Sequence, residues 1–288
     1  MSFEVRFYDD INQFYGLICP FLLKREVKNG LQLSLLDALK KNIKRYGKDL
    51  PVLCTVKKDE KITLISLRTP PYNQILSYTD DLKTIDVLVN ELYKRGDKLP
   101  GVLGFKEGAA KFAKLWCERK GVTAKLVMNE RLYKLTHVAE KTLGKHQFIK
   151  ATDTYEDIIL QWGKEFVLEA LPEKPLEIIE QSLENRKGDI KEGRIFLLID
   201  NNLPVSMARK AGKSPNGIAV NLVYTPPPLR RKGYATECVA KLSNFLLEEG
   251  NKYCFLFTDL SNPTSNSIYQ KIGYQPVMDV DEYHFISQ

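Results

Sequence analysis

Residues 217–250 restrict the fold of this 288-residue chain more than any other stretch. The segment begins with an apolar run typical of a strand, and three prolines follow it. Three cations and Gly233 come next, directly before residues 235–249, in which apolar residues recur every three or four positions. Gly250 ends this helical pattern. The segment therefore predicts a strand, a tight basic loop and a helix with one buried face.

The residues ahead of this helix are suited to bind a phosphate. The start of a helix leaves about four backbone N–H groups without intrahelical partners, and the peptide dipoles add positive charge there. Gly233 has no Cβ and Ala235 is small, so an anion can approach these amides. Arg230, Arg231 and Lys232 can reach outer phosphate oxygens with charge-assisted hydrogen bonds worth about 1.5–3 kcal/mol each.

We therefore predict a pyrophosphate cradle at this loop; the alternative is a basic turn that caps a surface helix. Two such hydrogen bonds and the helix dipole give roughly 5 kcal/mol. Micromolar affinity requires about 8 kcal/mol, so another part of the ligand has to be bound elsewhere on the protein.

A polar, glycine-containing stretch at residues 138–147 predicts a domain boundary, with domains at residues 1–145 and 146–288. The second domain begins with a short strand and two helices, and a strand hairpin with an Asn-Asn turn precedes the basic loop. After the helix at residues 235–249 we expect a strand at 253–259, a helix at 264–272, and a terminal hairpin formed by residues 274–280 and 282–288.

The first half contains a partial repeat of this order of elements, which we call the echo. A strand, a Thr-Pro-Pro sequence at residues 69–71, a helix ending at Gly96, a second strand and a second helix follow one another there. The echo lacks cations and glycine after the prolines. It predicts a tandem duplication whose first copy has lost the anion site, with chance similarity as the alternative. Leu88, Asn90, Leu92 and Gly96 match Leu242, Asn244, Leu246 and Gly250 at one common offset.

Two motifs in the second half resemble the GCN5-related N-acetyltransferase (GNAT) superfamily. Its acetyl-CoA-binding signature, Q/R-x-x-G-x-G/A, is met by Arg230, Gly233 and Ala235. Residues 262–277 are similar to the later helix of that family, with an asparagine, a small-residue turn, a tyrosine, and a glycine followed by an aromatic residue. The resemblance implies a mixed α+β fold, with a central, mostly antiparallel twisted sheet flanked by helices. A second α/β domain in the first half would be a degenerate GNAT-like repeat.

The resemblance also implies roles for individual residues in the transfer of an acetyl group from acetyl-CoA to a primary amine. The pantetheine arm would lie beside the strand that ends Val223-Tyr224-Thr225, and amides near Leu222 and Val223 would hold the oxyanion. Asn266 would contact the pantetheine or the neighbouring turn, and Tyr269 would protonate the departing thiolate, although an aromatic residue on a short helix is commonly core packing. The complete set implied for acetyl-CoA binding is Leu222, Val223, Tyr224, Thr225, Arg230, Arg231, Lys232, Gly233, Tyr234, Ala235, Thr236, Asn262, Asn266 and Tyr269.

The general base is not evident in the sequence. Many GNAT relatives place a glutamate on the strand before the cofactor loop, but this strand carries Asn221, which cannot accept a proton. Ordered water, Asp259 or Glu169 remain as candidates, and a weakly basic acceptor amine, already neutral at pH 7, is the alternative. Acidic residues on the two predicted helices would attract a cationic acceptor, unless they only form a solvated helix face. These are Glu165, Glu169, Glu173, Glu177, Glu180 and Glu184.

Composition and charge limit the other functions. The net charge of +7 comes from the first half, but its cations alternate with polar positions without an aromatic platform, so nucleic-acid binding is the weaker expectation. Scattered cysteines and isolated histidines give no support for a metal site. Without a leader or a membrane-length apolar run, a cytoplasmic protein is expected. A non-catalytic acyl-CoA sensor or adaptor remains the alternative to an enzyme that acts on a small-molecule or peptide amine.

Overall fold

The computed structural model describes residues 2–170 and 176–287, of which residues 170 and 176–182 are described by their backbone alone. Strands and helices alternate along both halves of the chain, as expected for a mixed α+β fold. The strands are β1 (Phe3–Tyr8), β2 (Val52–Lys58), β3 (Lys61–Arg68), β4 (Gln74–Leu76), β5 (Gly101–Phe105), β6 (Thr123–Leu135), β7 (Gln147–Lys150), β8 (Ile195–Asp200), β9 (Leu203–Lys213), β10 (Gly217–Tyr224), β11 (Tyr253–Asp259) and β12 (Gln275–Ile286).

Eight α-helices accompany these strands in the described ranges. None of them is long and apolar enough to cross a membrane. The helices are α1 (Ile11–Leu23), α2 (Gly30–Lys41), α3 (Lys83–Lys94), α4 (Lys106–Lys120), α5 (Glu156–Ala170), α6 (Leu176–Lys191), α7 (Tyr234–Glu248) and α8 (Pro263–Ile272).

All twelve strands form one sheet, in the order β1-β2-β3-β4-β5-β12-β6-β11-β10-β9-β8-β7. The order is symmetric: each strand of the first half has a counterpart six strands later at the mirrored position. Only β4 with β5 and β10 with β11 are paired in parallel among the described residues. The mostly antiparallel sheet and the repeated order of elements confirm the predicted fold class and the two-part arrangement.

The two halves exchange their last strands. β6, from the first half, pairs with β11 of the second half, while β12, the final strand, pairs with β5 of the first half. β6 and β12 also pair with each other over nearly their whole length. Each half of the sheet is therefore completed by a strand from the other half.

Helices cover both faces of the sheet. The four helices α1, α2, α5 and α6 cover the face that we call the α5 face, where Trp162 of α5 packs near Leu222 and Tyr224. The helices α3, α4, α7 and α8 cover the opposite face. The turn between α1 and α2 reaches across to the second half, where Glu26 accepts hydrogen bonds from Ser214 and Asn216 at 2.7 Å.

Two predictions from the sequence are wrong in detail. Residues 275–286 form one continuous strand instead of a terminal hairpin. Both edges of β12 are already paired, one with β5 and the other with β6, so its second part cannot pair with its first. The Thr-Pro-Pro sequence of the first half lies between β3 and β4, whereas that of the second half follows β10. The two are therefore not equivalent, although α3 and α7, matched in the same comparison, do occupy equivalent places.

Candidate functional site

The strands β10 and β11 separate at the centre of the second half. Their parallel pairing ends at Ala219 and Phe255, although both strands continue further. On its other side, β10 contains a bulge between Asn221 and Tyr224, where Leu222 adopts a left-handed conformation with φ of +50°. A bulge re-aims the backbone of a strand locally. The edge of β10 that faces the gap is thus open beside Leu222 and Val223.

The helix α7 begins at the mouth of this gap with free backbone amides. Gly233, at the N-cap, has φ of +87°, and an added Cβ would meet no atom within 4 Å. Within the described ranges, no side chain and no loop carbonyl accepts a hydrogen bond from the amides of residues 231–236. Arg231 also has a positive φ, of +65°. The loop therefore presents unpaired N–H groups and open space at a helix start, which is the geometry of an anion site.

The three cations of the loop differ in what they contact. Arg230 donates to both carboxylate oxygens of Glu169, at 2.8 and 2.7 Å, and to the backbone oxygen of Thr225 at 2.9 Å. Its guanidinium thus braces the loop against α5 and is not aimed at the helix start. Arg231 and Lys232 are exposed and have no partner among the described residues. These two side chains are the ones available to an anion.

A network that the sequence did not reveal anchors the first turn of α7. Glu237 is buried and accepts hydrogen bonds from the backbone and the ring of His146, both at 2.7 Å. Lys241 pairs with the same carboxylate at 3.0 Å, and Tyr234 donates to Asp200 at 2.5 Å. Burial alone would raise the pKa of Glu237, but the hydrogen bonds from His146 and Lys241 outweigh it and lower that pKa. His146 has no partner nearby in sequence, so its role is visible only in the fold, which places it next to Glu237.

The helix α8 lies next to the gap and carries the predicted acid. Tyr269 is 8% exposed, packs near the rings of Tyr133 and Tyr274, and has no hydrogen-bond partner among the described residues. Burial raises the pKa of Tyr269 to about 12, so its hydroxyl keeps its proton at neutral pH. A protonated, unpartnered hydroxyl is able to act as a proton donor.

The two asparagines of α8 shape the turn that precedes it. Asn262 accepts a hydrogen bond from the backbone of Ser265 at 3.0 Å and so caps the helix. Asn266 donates to the backbone oxygens of Asp259 and Asn262, both at 2.8 Å, and accepts from Tyr133 at 3.1 Å. Of the two contacts expected for Asn266, the structure contains the one with the turn.

The remaining predicted residues lie around the mouth of the gap. Val223 packs against the main core cluster of the second half, and Thr225 is buried beside Ser206 at 2.9 Å. Tyr224 donates to Glu165 at 2.8 Å, and burial together with this contact raises the pKa of Tyr224. Ala235 and Thr236 are partly buried in the first turn of α7.

The carboxylates proposed from the sequence as bases or as attractors of a cation are mostly occupied. Glu169 is held by Arg230 and Tyr224, and Asp259 accepts a hydrogen bond from the backbone of Ser261. Glu165 is bound to Tyr224, and Glu184 lies 3.7 Å from Lys187. Asn221 is exposed on the α5 face. Glu173 lies outside the described residues, as do the side chains of Glu177 and Glu180.

The equivalent place in the first half is closed at the helix start. The loop before α3 has Asp80 and Asp81 where the second half has its cations. Asp81 accepts a hydrogen bond from the backbone of Lys83 at 3.0 Å and pairs with Lys58 at 2.6 Å, which lowers the pKa of Asp81. Asp80 pairs with Arg25 at 2.5 Å. Carboxylates of the chain itself thus occupy the position of an anion.

The gap beside β4 in the first half is also filled. Gln32 of α2 donates to the backbone oxygen of Leu76 at 2.7 Å, and Asn29 accepts from the backbone of Tyr78 at 3.0 Å. Both side chains are buried, at 4% and 1% exposure. They satisfy backbone groups of the strand edge that remain open in the second half. A residual cavity of about 20 Å³ is left beside Gln32 and Leu76, too little for a ligand.

Comparisons with known proteins agree with this geometry. Residues 201–284 match the FR47-like protein family. No curated protein sequence is detectably similar to the chain. A solved structure of a Drosophila melanogaster protein is 13% identical with a TM-score of 0.65, covering 98% of each chain. A GCN5-related N-acetyltransferase from Sphaerobacter thermophilus is 12% identical with a TM-score of 0.60, covering 99% of this chain and 96% of its own.

The two-part architecture also has a solved counterpart. A tandem GNAT protein from the clavulanic acid biosynthesis pathway is 11% identical with a TM-score of 0.58, and the match covers 99% of this chain and 98% of that one. Likeness at this level of identity establishes the fold. The resemblance read from the two motifs is thereby confirmed at the level of the fold: the chain has the fold of the GCN5-related N-acetyltransferases over nearly its whole length, and residues 201–284 match the FR47-like protein family.

Proposed function

We propose that the protein is an acetyl-CoA-dependent N-acetyltransferase whose second half, residues 146–288, binds the cosubstrate and transfers its acetyl group to a primary amine. The main supporting observation is that the backbone amides at the start of α7 are unpaired and lie beside the open, bulged edge of β10. The amides of residues 231–236 and the side chains of Arg231 and Lys232 bind the pyrophosphate. The open edge of β10 binds the pantetheine arm as an additional strand, which supplies the affinity that phosphate contacts alone lack.

The chemistry is a direct attack of the amine on the thioester. The nitrogen lone pair forms a bond to the carbonyl carbon, and the amides near Leu222 and Val223 hold the negative charge on the carbonyl oxygen. The C–S bond then breaks, Tyr269 gives its proton to the departing thiolate, and the attacking nitrogen loses one proton to a base so that a neutral amide forms. The raised pKa of Tyr269 supports this role because the hydroxyl is protonated when the thiolate forms. The acceptor is a small-molecule or peptide amine.

A non-catalytic acyl-CoA sensor is the second candidate. It is favoured by Asn221, which stands where a glutamate base is common in relatives, and by the engagement of Glu169 with Arg230. A sensor and an enzyme share the cosubstrate site and differ in turnover.

The deciding experiment combines a thermal shift with acetyl-CoA and a thiol-release assay over a panel of primary amines. The wild type should be stabilised by acetyl-CoA and should release thiol with at least one amine. Tyr269→Phe should keep the thermal shift and lose about 10²-fold or more in kcat, because a positioned acid contributes about 10²–10⁴ in rate. Tyr72→Phe, at a residue that is 46% exposed, is the matched control and should retain full turnover. A thermal shift without thiol release from any amine would favour the sensor, and the absence of both would refute the proposed function.

A further inference from the structure

The strand exchange brings a carboxylate of the first half to the site of the second half. Glu130 lies on β6, directly opposite Asp259 of β11 on one side and Val280 of β12 on the other. Asp259 is the last residue of β11, beyond the point at which β10 and β11 separate. Glu130 is therefore level with the open part of the gap although it is far away in sequence.

Glu130 points to the α5 face of the sheet. Directly opposed residues on neighbouring strands share a face, and so do residues two apart on one strand. Leu132, two residues from Glu130, belongs to the same apolar cluster as Phe255 and the neighbouring Ala219. Asn221 is two residues beyond Ala219 on that face. Glu130 and Asn221 thus lie on the two strands that flank β11 and point to one face, on opposite sides of the gap where β10 and β11 separate.

The carboxyl group of Glu130 has no hydrogen-bond or ion-pair partner among the described residues, in contrast to the acidic groups around it. Asp259 accepts from Ser261, and Glu282 of β12 accepts from Asn73 at 2.7 Å and lies 3.0 Å from His284. Lys28, on the turn before α2, lines the small cavity near Val280, but its ammonium group lies 3.7 Å from the centre of the Tyr78 ring.

This environment favours the protonated form of Glu130. Burial, with added repulsion from Glu282 and Asp259, raises the pKa of Glu130 to about 7. A carboxylate with such a pKa is half protonated near neutral pH, where a general base is most effective.

We propose that Glu130 accepts the proton which the amine loses as it attacks the thioester. The inference rests on the proposed function. As the new C–N bond forms, an N–H bond of the amine breaks, its electron pair stays on nitrogen, and the proton passes to a carboxylate oxygen of Glu130, directly or through one water. The first half then supplies the proton acceptor to the second half, at the face where Asn221 cannot.

The first test is the pH dependence of kcat/KM with acetyl-CoA and the most active amine of the panel. The wild type should lose activity below about pH 7. Glu130→Gln should lower kcat about 10²-fold and remove this acidic limb, while the thermal shift with acetyl-CoA stays unchanged. Glu282→Gln should move the limb to lower pH, because one negative charge that raises the pKa of Glu130 is lost.

The control, Glu4→Gln, changes an exposed glutamate at the far edge of the sheet and should match the wild type. A Glu130→Gln variant with the wild-type rate and pH profile would overturn the proposal.

A second readout is independent of turnover. In ¹³C NMR titrations of the side-chain carboxyl groups, one glutamate of the wild type should titrate near pH 7. Its signal should be missing in Glu130→Gln and should shift to a lower midpoint in Glu282→Gln. Failure of the transferase proposal would appear as absent thiol release in the wild type. Absence of the titrating signal would overturn the assignment of Glu130 whether or not the protein turns over.

Discussion

The two halves of the molecule have the same order of strands and helices, yet only one of them keeps an open site. In the second half, β10 is bulged, its edge toward β11 is open, and α7 starts with bare amides behind Arg231 and Lys232. In the first half, the edge of β4 is covered by Asn29 and Gln32, and aspartates occupy the start of α3. The comparison teaches that the fold supplies the gap and the helix start, while a few side chains decide whether a ligand can use them.

The largest expected effect comes from giving the second half the acidic turn of the first. The double substitution Arg231→Asp and Lys232→Asp should weaken acetyl-CoA binding at least 100-fold, since two charge-assisted hydrogen bonds worth about 1.5–3 kcal/mol each are lost and repulsion is added. Isothermal titration calorimetry measures the change.

The matched control for this variant is Lys61→Asp with Lys98→Asp. It changes the net charge by the same amount at two exposed residues of the first half. It should leave the affinity within a factor of about two, because exposed distant charges are screened by salt. Equal losses in both variants would mean that the overall charge, and not the loop, binds the ligand.

A smaller effect is expected from replacing Glu237, whose contacts with His146 and Lys241 hold the first turn of α7 in place. Glu237→Gln weakens the hydrogen bonds with His146 and Lys241, and should lower the free energy of unfolding by roughly 1.5–3 kcal/mol at pH 7. The folded-state pKa of Glu237 is lowered, so the contribution of this carboxylate is present above its ordinary pKa and is lost as the pH falls through the lowered value.

The pH dependence of this difference is the check. Chemical denaturation of both proteins at several pH values should show a difference in the free energy of unfolding that is constant from pH 7 to about pH 5.5 and shrinks as the pH falls below the ordinary value of 4.5. A difference that stays constant or grows below that value would contradict the role given to the ionised carboxylate.

The smallest effect concerns the filled gap of the first half. Gln32→Leu leaves the buried backbone oxygen of Leu76 unpaired and should destabilise the protein by about 1–3 kcal/mol. The affinity for acetyl-CoA should not change, because the ligand does not use this gap. The exposed Gln13→Leu on α1 serves as control and should change stability by less than about 0.5 kcal/mol. A loss of acetyl-CoA affinity in Gln32→Leu would place a ligand in the first half.

Much of this comparison is readable in the sequence, and the rest depends on contacts between distant residues. Local patterns reveal α7, its basic loop and the tyrosine of α8, because periodicity, prolines and glycines act over a few residues. The exchange of β6 and β12 is not readable, since strand pairing joins residues more than a hundred positions apart. The Thr-Pro-Pro match does not mark equivalent positions either, because the first tripeptide follows β3 and the second follows β10, the counterpart of β4.

The contacts of individual site side chains could be identified only from the three-dimensional structure. Arg230 fits the family signature, but its contact with Glu169 depends on how α5 packs against the loop. The lone His146 becomes part of the α7 anchor only when the start of β7 meets that helix. Glu130 has no sequence neighbour that marks it, because the charges that raise its pKa lie on β11 and β12.

The most direct measurement of the central claim is backbone amide chemical-shift mapping by NMR during titration with acetyl-CoA. We expect the largest changes at residues 231–236, with further changes along residues 222–225 and no comparable changes at residues 80–85 of the first half. Shifts confined to the first half, or a ligand that binds without moving the amides of residues 231–236, would contradict the account.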